Sequence, residues 1–215
     1  MLILKVGKEQ VKCPNSWKEL TLKQWVQMVE RMSDLGLIKK EGEEGEDKKN
    51  EEVKKAEQEL VYIKAVRELF AYLINKDIEY VNKINSKDMS VIIDAVSVFF
   101  KEKNQSNEID RFEIKGKTYH FPEIKMEHST FEDYIEASQL ELTNKNLKAG
   151  KYAVIGEQMA ILCRERGEMF DEQKIQKKKK IFENLKMDIV WDFVFFLNKQ
   201  INTLKKSLEM FLKEK

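Results

Sequence analysis

Gly116-Lys117-Thr118-Tyr119-His120-Phe121-Pro122 is the stretch from which the rest of the chain can be read, because it has a counterpart near the N-terminus. That counterpart is Gly7-Lys8-Glu9-Gln10-Val11-Lys12-Cys13-Pro14. Each block has Gly-Lys at a turn, then alternating apolar residues, then proline. Alternation of this kind marks a half-buried strand, and a proline, which has no N–H to donate, ends the ladder. The first hairpin places Leu2, Leu4 and Val6 on one face and Val11 and Cys13 on the returning strand. In the second, Phe112, Ile114, Tyr119 and Phe121 are arranged around Lys115-Gly116-Lys117.

Working outward, each proline leads into a short loop, a capping box and an amphipathic helix. Thr21-Leu22-Lys23-Gln24 predicts a helix start at Thr21, with the hydroxyl and the Gln24 side chain each satisfying one orphan N–H. Ser129-Thr130-Phe131-Glu132 predicts a second such start. Trp25 lies 11 residues after Pro14 and Tyr134 lies 12 after Pro122. The chain has only two prolines, 108 residues apart, and they occupy matching points of the two blocks. Four ordered features in agreement point to a duplicated unit of hairpin plus helices. The hairpins could pair in one small sheet, or each could sit on its own helical lobe.

Three- and four-residue periodicity predicts helices over about 51–74, 77–84 and 89–101, then 151–166, 171–184 and 186–213. The fold class is therefore α+β and mostly helical, with two short hairpins each followed by amphipathic helices. The polar break at 102–107 divides the chain into a lobe over 1–104 and a lobe over 108–215. An acidic, highly charged stretch at 41–52 reads as a solvated loop between two helices of the first lobe.

Composition narrows the function. The 215 residues carry 39 basic and 38 acidic side chains, a net charge of +1, which argues against a generic polyanion binder. Eight glycines and two prolines do not suit a turn-rich sandwich or barrel. Two cysteines, Cys13 and Cys163, are too far apart in sequence for a zinc pair and read as buried small hydrophobes. The N-terminal apolar run is too short for a signal peptide. Ile189–Leu197, interrupted by Asp192, falls short of the roughly 20 residues of a membrane span. The expectation is a soluble intracellular protein with no membrane contact.

No phosphate loop, dinucleotide fingerprint or nucleophile elbow is present. His120 sits in a strand pattern, and His128 lacks an orienting partner. No catalytic residue, metal ligand or cofactor is assigned, and the chain is not expected to be an enzyme. Lys177, Lys178, Lys179 and Lys180 form the densest basic cluster and could meet phosphates. Ile175, Ile181, Phe182 and Leu185 run through the same segment, so it also reads as the wet side of an amphipathic helix. The C-terminal helix offers more. Trp191, Phe195, Ile201, Leu204, Leu208 and Phe211 supply an apolar stripe that either docks on the chain's own helices or receives another subunit or a partner helix.

Pro14-Asn15-Ser16-Trp17-Lys18-Glu19-Leu20-Thr21-Leu22-Lys23-Gln24-Trp25 resembles the opening of small morphogenesis proteins of tailed bacteriophages. So do the second hairpin block and the stretch Ala160-Ile161-Leu162-Cys163-Arg164 with Phe170-Asp171 and Phe182. The resemblance covers most of the chain and rests on caps and core positions. It implies a tail assembly chaperone, or a structural virion component such as a head–tail connector ring or capsid-associated protein. It implies partners among phage structural proteins (tail tube, tape measure or neighbouring virion subunits) or a homo-oligomer. It places the protein in the host cytoplasm during assembly, or in the virion. The acidic loop at 41–52 departs from the pattern as an insertion.

Overall fold

The computed structural model describes residues 1–6, 9–37, 51–101, 106–122, 130–144 and 146–213. Helices make up 63% of it, with two small antiparallel sheets of two strands each, so the fold is α+β and mostly α. The chain divides into two units. The first comprises 1–103 with 147–149, and the second 104–146 with 150–215. Each hairpin forms its own sheet.

In unit 1, β1 (Leu2–Val6) pairs with β2 (Glu9–Cys13) so that Leu4 faces Val11 and Leu2 faces Cys13. Leu4, Val11 and Cys13 are buried, the alternation that the sequence predicts. Helix α1 (Leu22–Asp34) starts where the capping box places it. Thr21 accepts from the Gln24 N–H at 3.3 Å, and the Gln24 side chain accepts from the Thr21 N–H at 2.9 Å. The helix ends at Gly36, whose φ of +73° is open to glycine without steric cost. The N–H of Leu37 reaches back to the Met32 carbonyl, closing a Schellman motif. Helix α2 (Glu51–Leu73) packs on α1, on α3 (Ile78–Asn82) and on α4 (Met89–Lys101). Trp17 stands edge-on to both Trp25 of α1 and Phe99 of α4, at 5.0 and 5.3 Å.

In unit 2, β3 (Arg111–Ile114) pairs with β4 (Lys117–His120). The turn is the two residues Lys115-Gly116, both with φ > 0 (52° and 74°), as a type I′ hairpin requires. Four helices follow: α5 (Phe131–Thr143), α6 (Ile155–Leu162), α7 (Glu172–Phe182) and α8 (Met187–Lys213). Helix α6 packs on α5 and α7. The hairpin buries Phe112, Tyr119 and Phe121 against Phe182 of α7 and Phe193 of α8.

Two expectations shift. The second capping box is one residue along: Thr130 is the N-cap, and Asp133, not Glu132, is its reciprocal partner. The helix expected over 151–166 is a 3-10 turn at Gly150–Ala153 followed by the shorter α6. It stops at Leu162 because the next residues turn extended. The His120 N–H donates to the Arg164 carbonyl at 2.8 Å, and the Arg164 N–H donates back at 3.3 Å. That bridge takes backbone groups the helix would have used. The acidic stretch lies outside the described residues, except that the backbone of 51 and 52 begins α2. His128 is outside them too.

The two units share an internal plan. Each has a hairpin followed, among the described residues, by four α-helices. Leu4–Val11 and Phe112–Tyr119 occupy the same place in the two registers. Both first helices are 13 residues long and start from a threonine capping box with near-identical N-cap dihedrals. The second helices, with the residues that flank them, bury matching positions: Ala65, Val66, Leu69, Phe70, Ala71 and Ile74 in one, and Val154, Ile155, Gln158, Met159, Ala160 and Cys163 in the other. Even an ion pair recurs, with its charges exchanged. Glu9, the first residue of β2, meets Lys76, three residues past α2, at 3.6 Å. Lys117, the first residue of β4, meets Glu165, three residues past α6, at 2.6 Å.

Candidate functional site

Helix α8 changes character along its length. Its first turns are core: Met187, Val190, Trp191 and Phe193 are buried. Trp191 stands edge-on to Tyr152 at 5.9 Å. Trp191 therefore belongs to the unit's own packing, contrary to its expected place on the docking stripe. Asp192, which breaks the apolar run in the sequence, is 2% exposed. It accepts from the Ser106 hydroxyl at 2.9 Å, from the Asn107 backbone N–H and from the Asn107 side-chain amide at 3.0 Å. Three donors satisfy a carboxylate that would otherwise be costly to bury, and they tie α8 to the segment leading into β3.

Beyond Phe193 the helix emerges. Phe195 is exposed, and Phe196, Leu197 and Ile201 are half-buried, with Asn198, Lys199, Asn202 and Thr203 exposed between them. Phe196 still touches Phe121, at 5.7 Å. Phe195 and Ile201 thus lie on a partly apolar segment, Phe195 exposed and Ile201 half-buried. For Leu204, Leu208 and Phe211 only the helical backbone is among the described features.

The basic cluster is not one surface. Lys178 is buried, and its ammonium meets Glu168 at 2.7 Å and the Cys163 carbonyl at 3.4 Å, over the Tyr119 ring. Lys179 is paired with Glu157 at 2.8 Å. Lys177 and Lys180 are exposed. Burial works to raise the Glu168 carboxyl, but the Lys178 hydrogen bond and charge, with the Glu165 N–H, outweigh it and hold the pKa below the ordinary glutamate value. Of the four lysines offered as phosphate contacts, Lys178 and Lys179 are therefore spent on the unit's own carboxylates.

A second buried pair joins α5 to the strand-like segment at Arg164. The Arg164 guanidinium lies 2.7 Å from Asp133 Oδ2, with both side chains buried. The same oxygen accepts from the Thr130 N–H at 2.8 Å. The guanidinium also stacks over Phe170 at 5.5 Å. Sequence reading missed these pairs, because a carboxylate among 38 acidic residues carries no signal until its partner is known.

Cys13 and Cys163 are both fully buried. Burial pushes the Cys13 thiol up to about 11, and that of Cys163 higher still. Neither is a ready nucleophile at neutral pH. His120 is half-buried in β4 and uses its backbone for the Arg164 bridge. Among the described residues no group of three or more His, Cys, Asp or Glu side chains could hold a metal ion. Among them also, no helix is long and apolar enough to cross a membrane. In comparisons with protein-family models, curated proteins and solved structures, none matches the chain.

Proposed function

We propose that this chain is a non-catalytic protein-binding factor in tailed-bacteriophage assembly, acting as a tail assembly chaperone. The observation that carries the reading is α8, rooted in the core by Met187, Val190 and Phe193 while Phe195 and Ile201 stand on its emerging length. A helix held at one end and partly apolar beyond it suits a partner's apolar segment. The phage assignment rests on the resemblance in the 14–25 stretch and its second-half counterpart. A structural virion component is the second reading, favoured by the paired-unit plan, which suits a subunit with two similar faces. The nucleic-acid reading is weakened by the ion pairs of Lys178 and Lys179.

The test uses the full chain co-expressed with phage tail-tube and tape-measure proteins. The chaperone reading expects one of them to stay soluble with the wild type and to precipitate with Phe195→Asp/Ile201→Asp. Equal solubility with both chains would overturn it. Mass spectrometry of purified particles separates the two readings, since a chaperone is absent from particles and present in infected lysate. DNA retention lost in Lys177→Glu/Lys180→Glu would instead favour the nucleic-acid reading.

A further inference from the structure

The fourth helices of the two units begin alike. Helix α4 opens Met89-Ser90-Val91-Ile92-Ile93-Asp94-Ala95-Val96, and α8 opens Met187-Asp188-Ile189-Val190-Trp191-Asp192-Phe193-Val194. Methionine is first, aspartate sixth and valine eighth in each. Both helices bury the same core positions, Ile92 and Ala95 in one, Val190 and Phe193 in the other. On another side they differ. At about 100° per residue, the third, sixth and tenth positions fall on one line. In α8 that line is Ile189, Asp192 and Phe196, and it is covered. Asp192 accepts from Ser106 and Asn107, and Phe196 meets Phe121. In α4 the line is Val91, Asp94 and Val98. Val91 is 45% exposed and Val98 is half-buried. Asp94 is exposed, with no hydrogen bond or ion pair among the described residues. The matching aspartate is thus covered in one unit and open in the other.

We propose that the face of α4 carrying Val91, Asp94 and Val98 receives an extended segment of a partner protein, one that offers a hydroxyl and, on the next residue, a side-chain amide. Unit 2 shows the form of the occupant, because a segment of this kind fills the matching face there on its way into a hairpin. The Ser106 hydroxyl donates to Asp192 Oδ1 and accepts from the Glu108 N–H at 3.0 Å. Asn107 brings its backbone N–H to the same oxygen and its amide to Oδ2. Three donors on two carboxylate oxygens recognise a geometry as well as a charge, and hydrogen bonds to an ionised acceptor are the strong ones. An apolar residue near the donors would lie against Val98, as Phe121 lies against Phe196. A second copy of this chain is a poor occupant, since its Ser106 and Asn107 are already bonded to its own Asp192. The contact is short, so it binds weakly by itself. It is separate from α8, and its failure would leave the assembly reading intact.

The probe is a synthetic peptide copying residues 104–110, Asn-Gln-Ser-Asn-Glu-Ile-Asp. It is titrated to about 5 mM, the range of so small a contact, into the isotope-labelled full chain and followed by two-dimensional NMR. The expected result is a saturable shift with a Kd of about 0.1–2 mM. Asp94→Asn keeps the shape of the side chain and removes its charge. Because Asp94 is exposed, this variant should keep the wild-type circular dichroism spectrum and midpoint, and it should bind the peptide about tenfold more weakly or worse, the scale of a hydrogen bond to a charged group. The peptide carrying Ser106→Ala/Asn107→Ala should lose the same amount against the wild-type chain. A peptide that merely displaces the chain's own segment from Asp192 would bind wild type and Asp94→Asn equally, and that result overturns the proposal. No shift up to the highest concentration, or equal affinity for the alanine peptide, overturns it as well.

Discussion

Replacing Arg164 by methionine tests the most deeply buried ion pair among the described residues of unit 2. Methionine keeps most of the apolar stem and removes the guanidinium. Asp133 then keeps its bond from the Thr130 N–H but loses its counter-charge at 2.7 Å, while remaining buried. Breaking a buried pair from one side costs about 3–5 kcal/mol, because an uncompensated charge is left behind. For a chain of this size each kcal/mol moves the midpoint about 2–4 °C, so the loss is roughly 6–20 °C. Thr130→Ala provides the scale. It removes the hydroxyl that accepts from the Asp133 N–H at 3.2 Å and leaves the ion pair, so it should cost only about 1 kcal/mol. Thermal and urea unfolding by circular dichroism measure both. If Arg164→Met cost no more than Thr130→Ala, Asp133 would be adequately solvated or capped without the guanidinium, and a structural role for the pair would be refuted.

The cysteines should resist a thiol reagent at pH 8 in the folded chain and both react in denaturant, since burial raises both thiols; fast labelling of native Cys13 would contradict its burial. Glu168 has a folded-state pKa below its unfolded value, so its contribution is full above the unfolded value and fades as pH falls through the folded one. Lys178→Met should therefore lower stability at neutral pH and flatten the decline below about pH 5, read from midpoints over a pH series. Gly116→Ala puts a Cβ on a residue at φ +74°, with open space around it; the conformational penalty alone should cost about 1–2 kcal/mol, and an unchanged midpoint would mean that the turn has shifted type.

Local patterns were legible and distant pairings were not. Strand alternation located both hairpins, and the Thr21 cap fell where Thr-x-x-Gln puts it, because each depends on neighbours within four residues. Predicted ends of α7 and α8 lie within two residues of those observed. The C-terminus of α6 was misjudged because the competing interaction, the backbone bridge to His120, comes from a strand far back in the chain. Asp192 looked like a blemish in an apolar run, since its donors Ser106 and Asn107 lie 86 and 85 residues away. Lys178 looked like a member of a surface cluster for the same reason. Along α8, periodicity located the stripe but could not say where it leaves the core, which depends on how far hairpin and helices reach along it.

The two units provide their own control on the buried pair. Asp133 is the third helical residue of α5, and its counterpart in α1 is Gln24. Arg164 comes two residues after α6, and its counterpart after α2 is Asn75. Both charges are absent together in unit 1. Asn75 instead takes φ +53° and closes the end of α2, with the Lys76 N–H reaching the Ala71 carbonyl at 3.0 Å. A buried charge without its partner is the costly state, so the two positions are free to change only as a pair. Transplanting the unit 1 residues should reproduce this. Arg164→Asn alone should be the most destabilising, because Asp133 is stranded. Adding Asp133→Gln removes the stranded charge while preserving a side-chain acceptor for the Thr130 N–H. The double variant should therefore recover at least about 1 kcal/mol relative to Arg164→Asn, a coupling within the range for residues in direct contact. Additive losses, with the double variant less stable than either single one, would mean that the recurrence of the two positions is coincidental and that Asp133 is held chiefly by its place in the cap.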